Sequence, residues 1–562
     1  LTAAAAGSIL FDMESLSVFI GGRAGDGIDQ ASLLIGKLLN QFGYYIYIYR
    51  DYPSLIRGGH TFSIVRAAQA RIGAHRQTVD VLLALNQDCL DKHKDKRHSR
   101  TIVVYDSDVV KSDGLGIPLT SMVKEAGGPE IMRNTAMLGA LAKVLGLPWE
   151  KFEAIARANL KKETELNIAL ARKGYSAADI FYKIEAQNKP PLPILTGNEA
   201  LALGLSAAGL DAYVAYPMTP SSTILHFLAE HADELKLKVI HPESEIAVIM
   251  MALGFAYAGR RAAVGTSGGG FCLMTEGLSF AGMAELPVVI VLGQRPGPST
   301  GLPTYSSQTE LLFALWSGQG EFSRLIVAPG DAEEAYYWSG VALRLAWKYQ
   351  LPAIILTDKN VAEGTYNFDP KEIKQLPEES LDLWSGSGEY LRYQETASGV
   401  SPLAFPGEPG RVVKINSYEH EENGTTTEDR PLTKKMQEKR LRKGIALIKE
   451  IEGLEAVKVY GRKEAKTAVV CWGSGKHLCV EATEKLDVRV VMPLVLSPLP
   501  LVQLRRALEG THQIIIVEDN ATAQLAQLLK LGGIKVDAVI LTYDGRPETV
   551  EQLEEKIARG VR

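Results

Sequence analysis

The run Pro287-Val288-Val289-Ile290-Val291-Leu292 is followed at once by GQRPGPSTGLPT, residues 293–304. An unbroken apolar run of this length has no polar side to turn to water, so a strand here must be covered on both faces. The glycines and prolines after it stop the strand and fix a loop. Such strands belong to parallel sheets packed between helices, and the chain repeats the pattern. Apolar runs at 262–264, 325–327 and 352–356 alternate with helical sequence. So do runs at 16–20, 45–48, 61–65, 81–85 and 102–105 nearer the start, and at 467–472, 488–491 and 514–517 nearer the end. The predicted class is α/β throughout.

At 562 residues the chain exceeds a single core; at ~150 residues per domain it needs about three or four. The proline spacer KPPLP, after helical sequence from Asn134 to about 186, closes a first block at 1–190. A second spans 191–394. Residues 395–465 lose the rhythm, passing through the polar SYEHEENGTTTEDRP into a basic helix, KKMQEKRLRKGIALIKEIEG. A last block covers 466–562. Lys and Arg number 61 against 66 Asp and Glu, a net charge of -5 with no large basic block, so nucleic acid is not an expected partner. No apolar stretch reaches the ~20 residues of a membrane span, and LTAAAAGSILFDMESLSV lacks the charged opening of a signal peptide. Cys89, Cys272, Cys471 and Cys479 form no CxxC pair, which excludes a four-thiolate metal site of the usual spacing. Small buried thiols in a reducing cytoplasm are expected.

Several loops interrupt the strand–helix rhythm with unusual chemistry. GGRAGDG, residues 21–27, fits no GxGxxG register. Its Gly25-Asp26-Gly27 resembles the start of a GDG…N magnesium–diphosphate signature, yet Asn40 follows far too soon. Two readings stay open: a helix N-terminus offering N–H groups to an anion, or a plain tight turn. YPSLIRGGHTF places Arg57 and His60 around the pair Gly58-Gly59, which suits either a phosphate-bearing ligand or a solvated loop. HPESEIAVIMMALGFAYAG heads an almost wholly apolar helix with Glu243 and Glu245, near the positive end of its dipole. That helix is expected to be buried, with its first turn in an interface and its carboxylate partly desolvated, as proton-handling groups are. AYPMTPSST holds Thr219 between Pro217 and Pro220, offering a hydroxyl that costs little entropy to order on a ligand. GTSGGGF, with Gly268 among its glycines, keeps side chains away from another strand end. Arg295, the one charge in GQRPGPSTGLPT, is a natural carboxylate clamp, because its fork binds two oxygens at once.

YPMTPSST, HPESEIAVIMMALG, GTSGGGFCLMTEGLSFAGMAELP, GQRPGPSTGLPT and YEHEENGTTTED, in that order, resemble the α subunit of 2-oxoacid:ferredoxin oxidoreductases. GGRAGDGI and YPSLIRGGHTF resemble the γ domain of the same enzymes, fused here at the N-terminus, and AVVCWGSGK through IIIVEDNATAQL resembles the transketolase C-terminal-like domain. The resemblance therefore implies three α/β domains: a γ-type domain, a thiamine-diphosphate pyrimidine-binding domain of transketolase-like fold, and a transketolase C-terminal-like domain. It implies oxidative decarboxylation of a 2-oxoacid with coenzyme A, electrons passing to ferredoxin, or the reverse carboxylation.

By the same resemblance Glu245 pairs with the aminopyrimidine of thiamine diphosphate, with Glu243 as the fallback and with Pro217 and Gly268 lining the cofactor. Thr219 and Arg295 hold the substrate, and Arg57, Gly58, Gly59 and His60 are coenzyme A contacts. Lacking a GDG…N signature and cluster cysteines, the chain needs a β subunit for Mg2+, the diphosphate and the iron–sulfur cluster. A cytoplasmic dimer of αβ heterodimers is the expected assembly, with 2-oxoglutarate the favoured substrate. Two rivals share parts of this pattern, a transketolase-like carbon-transfer subunit and a non-catalytic carrier of coenzyme A or a nucleotide.

Overall fold

The computed structural model describes residues 15–54 and 59–560. Two compact units divide them: residues up to 195 with 364–369 and 549–552, and the remainder. The α/β class holds in both.

Among the described residues, the first unit is built on an eight-stranded sheet. Its central strand, Ser15–Arg23, is buried on both faces and pairs parallel with Val79–Ala84, which pairs parallel with Arg97–Asp106. On its other side the sheet is not parallel. His60–Ala68 runs antiparallel to both Ser15–Arg23 and Tyr45–Asp51. The link from Asp51 to His60 is too short for the dozen or more residues a parallel crossover takes, so the chain turns back on itself. The helix Ile28–Gln41 lies close on this sheet: a Cβ at Gly36 would meet Ile48 Cδ1 at 2.9 Å and Ile46 Cδ1 at 3.0 Å.

The helical sequence expected from Asn134 to about 186 forms three helices, Arg133–Val144, Trp149–Asn159 and Thr164–Ser176, and no helix covers 177–186. Gly146, at φ 68°, and Pro148 end the first. The first and third touch backbone to backbone, since Cβ atoms at Gly139 and Gly174 would collide with the carbonyls of Ala171 and Ala136.

Among the described residues, the second unit contains two sheets. The larger has the order Val495–Ser497, Leu325–Val327, Pro352–Asp358, Val288–Gln294, Ala262–Ser267, Ala212–Ala215, Lys238–Ile240. Every pairing is parallel except that of the edge strand Val495–Ser497. The strand containing 288–292 is buried throughout, as its composition demanded. The smaller sheet orders Val457–Gly461, Val488–Pro493, Thr467–Val470, Gln513–Glu518 and Ala538–Leu541. Ions as well as the edge strand join the two layers: Lys476, itself buried, bonds Asp331 and reaches Glu334 at 2.6 Å.

The stretch that loses the strand–helix rhythm is firmly held. Its helix, Arg430–Glu452, is capped by Asp429, whose Oδ1 accepts the Leu432 N–H at 2.9 Å. Part of the basic composition faces inward: Lys439 and Lys443 each bond Glu285 at 2.8 Å, all three side chains buried. Burial alone would raise the Glu285 carboxyl, but Lys439, Lys443 and Arg392 outweigh it and hold the group well below the usual carboxylate range. The polar segment is fastened too, His420 stacking on Tyr393 with ring centres 3.6 Å apart. Three cysteines are buried as expected, and Cys272 is exposed.

Candidate active site

Four loops meet at the carboxyl ends of the parallel strands in the larger sheet, where ligands bind in open α/β folds. AYPMTPSST leaves Ala212–Ala215 and enters the helix Ser222–Glu230. It is pinned from below: Asn198 Nδ2 donates to Pro220 O and to Thr223 Oγ1, both at 2.7 Å. Ser221 Oγ donates to Met218 O at 2.8 Å. Arg295, only 8% exposed, donates from Nη1 to Thr219 O at 3.0 Å. The sequence pointed to Arg295 as a clamp and Thr219 as a ligand hydroxyl; the structure brings the two together, the guanidinium gripping the loop that carries the threonine. Thr219 and Pro217 are half-buried. Arg295 Nε is buried without a hydrogen-bond partner among the described residues, so part of the fork is uncommitted.

The glycines of GTSGGGF form the floor. They open the helix Gly268–Met283, whose Ser267 N-cap makes no side-chain cap bond. A Cβ at Gly268 would sit 2.6 Å from Glu310 Oε1, and one at Gly270 would sit 2.5 Å from Glu245 Oε1. Between them a Cβ at Gly269 would meet only Met218 Cε and Ser299 O, both at 3.9 Å. Two carboxyl groups thus flank one helix N-terminus, an arrangement that only glycine permits.

Glu245 opens the helix Glu245–Tyr257 and is 6% exposed, whereas Glu243 stands in solvent. The helix departs from the fully buried element its composition predicted. Val248, Ile249, Ala252 and Leu253 are buried, but Ile246, Met250 and Met251 are 54%, 46% and 44% exposed. Ile246 and Met250, with Leu273, Phe280 and Met283 of the neighbouring helix, border a groove of 710 Å³.

Glu310 was missed by sequence reasoning. It precedes the short helix Leu311–Trp316 and is 8% exposed. Burial pushes its carboxyl up to about 7, against the opposing pull of Thr309 and Arg295. In the sequence it shows only as an acid before a short apolar run, and its position beside Gly268 comes from the fold.

In the first unit Arg57 and Gly58 lie outside the described residues. Gly59, at φ 84°, accepts the Ala24 N–H at 3.2 Å, so the two glycine-rich segments touch. His60 Nε2 lies 2.8 Å from His93 Nε2, and burial lowers both rings, His93 to about 4. GGRAGDG behaves as a tight turn that supplies its own anion. Asp26 Oδ2 accepts the Arg23 N–H at 2.8 Å, and Arg133 pairs with its other oxygen at 3.2 Å.

Among the described residues no group of three or more His, Cys, Asp and Glu could hold a metal, and no helix is long and apolar enough to cross a membrane.

Residues 204–439 match the family described as "Pyruvate flavodoxin/ferredoxin oxidoreductase, thiamine diP-bdg", and residues 17–177 match "Pyruvate ferredoxin/flavodoxin oxidoreductase". Fold and site therefore define a subunit of a thiamine-diphosphate oxidoreductase class. The 2-oxoacid:ferredoxin oxidoreductase subunit alpha of Saccharolobus solfataricus is 31% identical over 96% of this chain and 97% of its own. The 2-oxoglutarate oxidoreductase subunit KorA of Mycobacterium tuberculosis is 30% identical over 76% of this chain and 68% of its own. Among solved structures, the 2-oxoglutarate:ferredoxin oxidoreductase from Magnetococcus marinus, with 2-oxoglutarate, coenzyme A and succinyl-CoA bound, superposes with a TM-score of 0.90. It is 28% identical and covers 98% of this chain and 100% of that one. The chain belongs to the 2-oxoacid:ferredoxin oxidoreductase family, as its alpha subunit.

Proposed function

We propose that this chain supplies half of the catalytic centre of a thiamine-diphosphate-dependent enzyme that oxidises a 2-oxoacid with coenzyme A to an acyl-CoA and CO2. The observation that carries the reading is the buried Glu245 carboxylate set against a side-chain-free helix N-terminus, beside an apolar face that this chain leaves uncovered. The residues fit the pyrimidine end of the cofactor. Gly269 keeps the helix N-terminus free of a side chain beside Met218 and Ser299, and Glu245, against the next glycine, is placed to meet a ring nitrogen. Thiamine diphosphate, when bound, supplies a carbon nucleophile for the substrate's keto group. Glu245 holds and returns a proton at its carboxylate, a role for which a buried acid at a helix start is suited. Pro217 and Gly268 shape the walls. Arg295 orients the substrate carboxylate through its uncommitted edge, and the Thr219 hydroxyl reaches the keto oxygen.

A β subunit docked on Ile246, Met250, Met251 and Leu273 supplies the remaining parts: the site for the diphosphate, Mg2+ and the cluster that passes electrons to ferredoxin. The alpha naming of the relatives supports such a partner. Coenzyme A belongs with the first unit, near Gly59 and His60, and with Arg57 and Gly58. The proposed domain limits are 1–190, 191–394, 395–465 and 466–562. 2-Oxoglutarate is the favoured substrate, on the names of the KorA relatives and of the superposed structure.

The test is reduction of a viologen dye with coenzyme A and a panel of 2-oxoacids. The chain alone is expected to be silent and the paired subunits active, best with 2-oxoglutarate. Activity without a second polypeptide contradicts the reading. Carbon transfer without dye reduction returns the transketolase-like alternative, and coenzyme A binding without turnover returns the carrier.

A further inference from the structure

Arg295 and Glu310 form a matched pair of incomplete groups. Each is 8% exposed, and each has a buried polar atom without a hydrogen-bond partner among the described residues, Nε in Arg295 and Oε2 in Glu310. Thr309 ties them: its Oγ1 donates to Glu310 Oε1 at 3.0 Å and lies 3.4 Å from Arg295 O. The Glu310 backbone is fixed as well, its N–H donating to Gln294 Oε1 at 3.1 Å. No direct ion pair joins Arg295 to Glu310 among the described residues, although each feels the other's charge. Among the described residues no other charge acts on either group; the surrounding contacts include Gly268 on the helix below, Gln294 at the strand end, and Gln524, which donates to Thr309 O at 2.8 Å. The positive end of the Gly268–Met283 helix is the remaining field at this carboxyl, and it favours the ionised form.

We propose that Glu310 is a positioning residue that sets the net charge Arg295 presents, so that a substrate carboxylate binds together with one proton taken up at Glu310. The inference rests on the proposed role of Arg295 as the carboxylate clamp. With Glu310 neutral, the guanidinium offers a full positive charge to an incoming anion. With Glu310 ionised, the charges nearly cancel and the pocket repels a second carboxylate. Burial places the switch at about 7, within reach of cellular pH. The sign follows from linkage: proton uptake on binding means affinity falls as pH rises above the free-state value. In that range KM for the 2-oxoacid climbs about tenfold per pH unit, while kcat is little changed. The proton returns to solvent once the carboxylate has left as CO2, so the step balances without a further reactant.

The experiment uses the paired enzyme and oxalate, which presents adjacent carboxylate oxygens as a 2-oxoacid does but is not decarboxylated. Calorimetric titration at about pH 8, in buffers of differing ionisation enthalpy, is expected to show uptake of roughly one proton by the wild type and none by Glu310→Gln. The KM profile of Glu310→Gln should be flat, at the low value the wild type shows in acid. Glu310→Asp, which still titrates, should keep the slope. Absence of uptake in the wild type, or an unchanged slope in Glu310→Gln, overturns the proposal. If the pair oxidises 2-oxoacids but behaves so, Glu310 alone is refuted; if it oxidises none, the functional reading has failed, and oxalate uptake still decides Glu310. No binding of oxalate overturns the Glu310 proposal, and turnover of 2-oxoacids by the pair decides the functional reading separately.

Discussion

Replacing Glu245 by Gln in the paired enzyme is expected to lower kcat for 2-oxoacid oxidation by about 10²–10⁴-fold, the usual weight of a positioned proton-transfer group. Gln keeps the shape of the side chain, and Gly270 leaves it the same space, so the loss reports the proton and not the packing. KM should move little, since Glu245 faces the cofactor in this account and Arg295 faces the substrate. Steady-state kinetics with saturating cofactor check this. A carrier subunit would tolerate the change, and retention of full kcat would remove Glu245 from the chemistry. Glu243→Gln is the internal control: its carboxylate is in solvent, and its replacement should leave kcat unchanged.

Arg295→Ala carries the second large effect. Leaving a buried substrate carboxylate without its partner costs about 2–5 kcal/mol, which is roughly 30-fold in KM at the lower end. The same guanidinium holds Thr219 O at 3.0 Å, so kcat should fall as well when the loop loosens. Arg295→Lys restores the charge but not the fork, and should recover only part of the loss. Unchanged kinetics in the alanine variant would place the clamp elsewhere.

The sheets were legible because their strands are apolar on both faces. The strand Val288–Gln294 and its neighbours carry that signature in the sequence itself, and a helix cannot satisfy so short a run. The mixed pairing of the first sheet was not legible. It depends on the shortness of the link between Asp51 and His60, and alternation alone does not report strand direction. The end of the helical block was overread for a similar reason: 177–186 has helical composition but sits outside any helix. In the candidate site, local chain chemistry marks Thr219 between its prolines, Arg295 in its loop and Glu245 at its helix, and the fold places them at the strand ends of one sheet. Glu310 escaped because its meaning is tertiary. Only the fold brings it to Gly268 and within the field of Arg295. The Glu245 helix shows the converse. Its composition announced burial, and Ile246, Met250 and Met251 are nevertheless exposed on this chain, which is where the proposed β subunit would dock.

The most direct test is a crystal structure of the chain assembled with its β subunit and thiamine diphosphate. The account predicts the aminopyrimidine beside the helix N-terminus at Gly268–Gly270, a ring nitrogen about 2.6–3.2 Å from the Glu245 carboxylate, and the diphosphate gripped by the other polypeptide. A cofactor seated away from position 245, or held whole by one subunit, contradicts it.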